Sequence, residues 1–373
     1  MNDPAQTQLL TAAQAAMAAR RFDDAQALFQ KLVDAMPGPA AGHIHLSRAA
    51  FEAGDRKTCL AALDAALRRE PDNPRLWQHA ADRYRNFNHV DRALAAYDKA
   101  IALEPRAIKP RADRAHYLQV LGRFDAAEAA FRKLIKLAPA EAELYRMALA
   151  TMKVKPADPL VKQMAKLWSD KALPDTARLQ LAFALAKVEA GAKRPERETG
   201  FLRRANALQA RLFPFDPDAS SREYAAVLAA QEGDLSPTGT ADAPRPVFVT
   251  GMPRSGTTLV EQIIAAHSGA VAGGELRHGL QTAYAVFGDG VSMTPIAQAG
   301  PEALERFAAR YRTLLRRDSG AMAGVVTDKA IMTHLIVGLL HKALPDARFV
   351  VVQRDPRDIA LSIWRNPFPA SSH

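Results

Sequence analysis

The 373-residue sequence has a single cysteine, Cys59. One thiol forms no internal disulfide and no thiolate cluster able to hold zinc, so Cys59 reads as a small core residue. No apolar run approaches the roughly 20 residues needed to cross a bilayer. The opening MNDPAQTQLLTAAQ lacks the basic and then apolar order of a secretory signal. A soluble, cytoplasmic protein without an integral membrane segment is expected. Long basic runs interleaved with aromatics are missing too. Although 50 Lys and Arg stand against 40 Asp and Glu, the two signs are mixed along the chain as on solvated helix faces. No nucleic-acid partner is therefore expected. The length exceeds one ordinary core and suggests two or three domains.

What is present begins with a repeat. Pro37, Pro71, Pro105 and Pro139 recur every 34 residues, each closing an apolar segment (LVDAMP, AALRREP, AIALEP, LIKLAP). Twelve residues before each stands a small residue: Ala25, Cys59, Ala93 or Ala127. Eight before stands a bulky one: Phe29, Leu63, Tyr97 or Phe131. Small residues let helices approach, and bulky ones fill the gaps between successive pairs. A 34-residue helix-turn-helix unit in this order resembles the tetratricopeptide repeat. Four units are expected, at about 6–39, 40–73, 74–107 and 108–141, with Trp77 and Tyr117 as extra packing residues. Such units form a solenoid whose concave face commonly binds peptides, which makes a peptide or protein partner in that groove an expectation. The scattered His43, His45, His79 and His116 read as packing or surface residues rather than metal ligands. From 142 to 234 the pattern stays helical while the period fades, as in a degenerate cap. LSPTGTADAPRP at 235–246 then reads as a linker.

From 247 to 373 the texture changes. PVFVTG, GVVTDK and ARFVVVQRD are short β-rich runs separated by helical stretches such as TTLVEQIIAAH and IMTHLIVGLLHKAL. That alternation implies a parallel sheet covered by helices, with ligands at the carboxyl ends of the strands. The fold class expected is multidomain: an N-terminal all-α solenoid, then a partial α/β P-loop-like domain.

GMPRSGTT follows the first of these strands. Amides of Ser255, Gly256, Thr257 and Thr258 can converge on an anion where the helix begins. The glycine spacing is that of a triphosphatase loop, but Thr257 replaces its lysine and the cation has moved to Arg254. In a phosphosulfate the transferred sulfuryl group carries less charge than a terminal phosphoryl group. Charge builds instead on the bridging oxygen, where fixed cations stabilise it.

PRSGTTL at 253–259 resembles the loop by which sulfotransferases hold the 5′-phosphosulfate of PAPS. QRDPRDIALS at 353–362 is similar to their 3′-phosphate site. Together with the upstream repeats, the two motifs resemble the bacterial tetratricopeptide-repeat sulfotransferases. The active-site stretch also resembles tyrosylprotein sulfotransferases. The resemblance implies PAPS as donor co-substrate, adenosine 3′,5′-bisphosphate as product and no metal. Arg254 and the loop would then hold the 5′ side, and Arg354 with Ser362 the 3′ phosphate. A purely structural reading pairs Arg354 with Asp355 or Asp358 and leaves Ser362 facing solvent.

A hydroxyl acceptor must lose its proton, which calls for a general base. Glu275, after the Gly-Gly turn of AVAGGELRHG, is the candidate, in the G-E context of the related enzymes. His267 and His278 are fallbacks, and His267 reads more naturally as the end of the loop helix. Lys329 of GVVTDK would assist the bridging oxygen with Arg254, as the resemblance implies. Asp328 is alternatively a magnesium-binding acid of a nucleotide kinase or triphosphatase. The sequence stops eleven residues after Ser362, where resembling proteins continue. A missing C-terminal part of the catalytic domain, with exposed apolar surface and a strand edge, is expected. The rival reading is a protein-interaction scaffold with an inactive nucleotide-binding remnant.

Overall fold

The structure is a computed structural model that describes residues 4–288 and 294–368. The chain forms two compact units, Met1–Glu70 with Asp216–Ile359, and Pro71–Phe215 with Ala360–His373.

In the first unit, α1 (Pro4–Ala18), α2 (Phe22–Ala35), α3 (Ala40–Ala53) and α4 (Arg56–Arg69) make two helix pairs. The spacing seen in the sequence is the spacing of their core. Ala25, Cys59 and Leu63 are fully buried and Phe29 nearly so, with Phe29 stacked on His45 at 5.2 Å. The Cys59 thiol lies 3.4 Å from the Ser47 hydroxyl. Asp55 caps α4 by accepting from Thr58 N at 3.0 Å.

The second unit continues the same arithmetic. Its pairs are α5 (Pro74–Asn86) with α6 (Val90–Leu103), and α7 (Lys109–Val120) with α8 (Phe124–Leu137). Ala93, Tyr97, Ala127 and Phe131 are all fully buried. Beyond the last proline of the period come α9 (Ala142–Leu149), α10 (Pro159–Ser169), α11 (Asp175–Gly191) and α12 (Pro195–Leu212). α11 is buried on most sides, which explains why its sequence shows no clean apolar stripe.

α13 (Pro217–Ala230) opens the second stretch of the first unit. The stretch 235–246 is fastened there. Arg312, only 2% exposed, is paired with Asp346 at 2.5 Å and donates to the carbonyls of Asp242 and Thr240. Gly239 lies so near Ala343 O that a Cβ would fall 2.4 Å from it.

Among the described residues, four parallel strands follow in the spatial order β2-β3-β1-β4: β1 (Arg245–Gly251), β2 (Ala270–Ala272), β3 (Val325–Asp328) and β4 (Arg348–Val352). β2, three residues long, carries too little pattern to be legible as a strand. β1 runs through α14 (Thr257–Ala265) to β2. β2 returns through α15 (His278–Phe287) and α16 (Pro301–Ser319) to β3, and β3 passes through α17 (Val337–Ala343) to β4. The first connection runs one way along the sheet and the others run back. Right-handed crossovers therefore put α14 on one face and α15 to α17 on the other. Phe248, Val326, Phe307, Tyr311 and Leu340 form the core of the second face. The stretch after Lys329 opens as a 3-10 turn over Ile331–Ile336 before α17 begins. β4 is one edge of the sheet, and Val351 on it, like Leu259 and Ile263 on α14, is more than 60% exposed. Among the described residues no helix is long and apolar enough to cross a membrane.

A candidate anion-binding and transfer site

Register places the strand ends side by side. Gly251 pairs with Val352 across β1 and β4, Phe248 with Asp328 across β1 and β3, and Ala272 with Thr327 across β2 and β3. All four strands are parallel, so the loop after β1, the turn after β2, Lys329 and Arg354 leave the sheet at one end.

The loop after β1 is shaped by two left-handed residues. Gly256 has φ 107° and Arg254 φ 72°, the latter uncommon for a residue with a side chain but shared here by Arg20, Asn88 and Lys193. Ser255 N donates to Met252 O at 3.0 Å and closes the turn. The amides that open α14 then point outward, since the first turn of a helix has no carbonyls to receive them. The Ser255 hydroxyl is buried and meets no hydrogen-bond partner among the described residues. A buried orphan hydroxyl in a loop of outward amides suits an absent anion. Gly251 is needed beneath it, because a Cβ there would fall 2.5 Å from Val352 O and 2.8 Å from Ser255 Oγ.

The turn after β2 is stitched to the end of β3. Gly273 N donates to Thr327 O at 3.1 Å and Lys329 N to Gly274 O at 2.9 Å. A Cβ on Gly273 would lie 2.2 Å from Thr327 O, and Gly274 has φ 75°, so the Gly-Gly pair is what permits the approach. The result brings Glu275 to Lys329, with Nζ donating to Oε1 at 2.9 Å. The lysine side chain is 11% exposed and the glutamate 60%, an arrangement open to solvent on the acid side only.

Glu261 is the residue that sequence reasoning missed. It lies on α14, is 1% exposed, and accepts at Oε1 from Gly274 N and from Thr327 Oγ1, both at 2.9 Å. One carboxylate thus joins the loop helix, the Glu275 turn and β3. The available signal was a single acid inside the apolar run TTLVEQIIAA.

Behind Lys329, Asp328 is 1% exposed. It accepts from Tyr311 Oη at 3.1 Å and from Ala330 N at 3.1 Å. Burial pushes its carboxyl up to about 6, while those hydrogen bonds and the neighbouring His278 oppose the rise. His278 is buried, with Nε2 3.0 Å from Asp318 Oδ2. Burial would raise Asp318, but His278 and Arg317 hold it well below the usual carboxylate range. His267 follows the end of α14 and its Nδ1 accepts from Gly269 N at 3.0 Å.

Arg354 emerges two residues after β4 and bonds Asp358 at 3.3 Å, while Arg357 bonds Asp355 at 2.7 Å. Ser362 lies two turns along α18 (Pro356–Trp364), within the span assigned to the second unit. Its carbonyl accepts from Asn366 Nδ2 at 2.7 Å. No group of three His, Cys, Asp or Glu side chains able to hold a metal occurs among the described residues.

Residues 246–372 match the sulfotransferase family, and residues 16–82 and 112–141 match tetratricopeptide repeats. This chain joins tetratricopeptide repeats to a sulfotransferase domain. The whole constellation from Gly251 to Arg354 lies inside that sulfotransferase segment. An uncharacterized protein of Aquifex aeolicus (strain VF5) is 31% identical over 141 residues, 34% of this chain and 18% of that protein. The chain thus spans less than a fifth of that relative. Among solved structures, MamA is similar at 18% identity and TM-score 0.36, over 50% of this chain and 94% of MamA. Pseudomonas aeruginosa pilF is similar at 11% identity and TM-score 0.38, over 59% of this chain and 97% of its own. TTC0263, a thermophilic TPR protein of Thermus thermophilus, is similar at 20% and 0.32, over 48% and 98%.

Proposed function

We propose that this site transfers a sulfuryl group from PAPS to a hydroxyl or amine acceptor and releases adenosine 3′,5′-bisphosphate. The observation that carries the reading is the register of β1 with β4. It sends the anion loop and Arg354 out of one end of the sheet on adjacent strands, as a nucleotide phosphorylated at both its 5′ and 3′ positions requires. The amides of residues 255–258 and Arg254 hold the 5′ side. Arg354 takes the 3′ phosphate, exchanging its exposed partner Asp358 for it.

The reaction forms a bond from the acceptor oxygen or nitrogen to sulfur and breaks the bond from sulfur to the bridging oxygen. The acceptor's proton passes to Glu275. The electron pair of the broken bond stays on the departing phosphate, where Arg254 and Lys329 stabilise it. Lys329 and Glu275 are already in contact, so the acid that takes the proton and the cation that meets the departing oxygen stand side by side. The repeats supply a protein-binding surface, and a peptide or protein held in their groove is the partner expected.

Calorimetric titration with adenosine 3′,5′-bisphosphate tests the reading. Binding that persists without magnesium and weakens about tenfold or more in Arg254→Ala is expected, since a charge-assisted contact to phosphate is worth about 1.5–3 kcal/mol. Absence of binding by the native chain, or preference for magnesium-ATP, defeats it.

A further inference from the structure

The seam between the first two repeats and the sheet region, both within one compact unit, is organised around the end of one helix. α3 ends in a left-handed turn at Gly54, φ 79°, where Phe51 O receives Gly54 N and Gly54 O receives Arg56 N, both at 3.1 Å, and each carbonyl keeps a second lone pair. Three side chains from the sheet region meet carbonyls at this end. Arg310 Nη2 donates to Ala53 O at 2.7 Å, Arg317 Nη1 to Gly54 O, and Gln281 Nε2 to Phe51 O at 3.4 Å. Two guanidinium groups at the negative end of a helix are also favoured by its dipole. A Cβ on Gly54 would lie 3.3 Å from the Leu314 side chain of α16, so the two elements pack closely there.

The same contacts reach the segment that carries the candidate base. Arg277, two residues after Glu275, donates to Glu52 Oε2 at 3.0 Å and lies over the Phe51 ring at 5.4 Å. The next residue, His278, faces Asp318 at 3.0 Å. Asp318 is held by Arg317 at 2.6 and 2.7 Å, and Arg317 is the group that meets Gly54. Both residues that start α15 are therefore fixed through the end of α3.

We propose that the second repeat is a positioning element for Glu275. Glu52 and Phe51 hold Arg277, and Arg277 sets the turn that aims the Glu275 carboxylate at Lys329. The inference rests on the sulfuryl-transfer reading above. Arg277 and Glu52 touch no reacting atom and act only through the backbone between them and Glu275. Their ion pair is open to solvent and contributes little stability, so its loss separates positioning from folding.

The full chain carries the test, in Arg277→Gln, Glu52→Gln and the swapped pair Glu52→Arg with Arg277→Glu. Three quantities are measured: turnover of PAPS with water as acceptor, the Kd of adenosine 3′,5′-bisphosphate, and hydrogen exchange of the amides of 272–284. Each single variant should lower kcat about tenfold while Kd moves less than about twofold, because a misaimed base is lost from the transition state alone. Exchange over 272–284 should quicken in the singles, and the swap should restore both exchange and kcat. Unchanged kcat in the singles, or kcat, Kd and melting temperature falling together, overturns the proposal. Hydrogen exchange needs no turnover. A native chain that neither binds nor cleaves PAPS defeats the transfer reading, whereas unchanged exchange in the singles defeats the positioning role.

Discussion

Asp328 and Asp318 both feel His278, and folding moves their protonation in opposite directions. Asp328 binds its proton more tightly when folded, at about 6 against 3.8. Its contribution to stability is fully present below the unfolded value and is lost as the pH rises through about 6. Replacing it by Asn keeps an acceptor for Ala330 N and removes that loss. Melting curves should therefore show Asp328→Asn gaining on the native chain between about pH 4 and about pH 7. Asp318 is lowered, so its contribution is present above the unfolded value and fades as the pH falls below it. Asp318→Asn should be most harmful near neutral pH, measured by the same curves. Glu261 tests a different term. Glu261→Ala strands Gly274 N and Thr327 Oγ1, at a cost of about 1–3 kcal/mol for a buried unpaired group, whereas Glu261→Gln keeps the acceptor; urea titration separates the two. Glu275, Lys329, Arg254 and the loop hydroxyls stood out in the sequence because their motifs are local. Glu261 did not, since its two partners are 13 and 66 residues away.

At the scale of elements, the repeats were the most legible part. Each small and each bulky position recurs on the same face of its helix, and a face buried only by neighbouring helices must repeat with the unit. Phe131, fully buried in the core of α7 to α11, should cost about 3–5 kcal/mol when cut to Ala, read from chemical denaturation of the full chain. Strands β1, β3 and β4 were visible as apolar runs, while β2 was not. The loop between β1 and α14 depends on Gly256 in a left-handed conformation. Gly256→Ala meets no neighbour within 4 Å and so carries only backbone strain, about 1–2 kcal/mol. It should weaken adenosine 3′,5′-bisphosphate binding by more than that loss of stability implies, because the amides of α14 turn with the loop. Paired calorimetric and melting measurements check this.

For the molecule as a whole, the periodic prolines and the change of texture after Pro246 specified helical repeats followed by a parallel α/β segment. The order of the motifs put the Gly251–Thr258 loop and Arg354 at strand ends, where the proposed anions sit. Those properties are set by residues close together in the chain: side-chain period, glycine spacing and the strand-turn-helix junction each act within a few residues. Tertiary structure alone decided that the first two repeats fold as one unit with the sheet. It also decided that Arg310, Arg317 and Gln281 cap α3 and that a buried carboxylate ties three segments of the site together. Contacts between residues hundreds of positions apart, such as Arg310 with Asp23 at a separation of 287, leave no period and no local motif. They arise only when packing brings carbonyls and charges of distant segments within reach of one another, and so no stretch of sequence announces them.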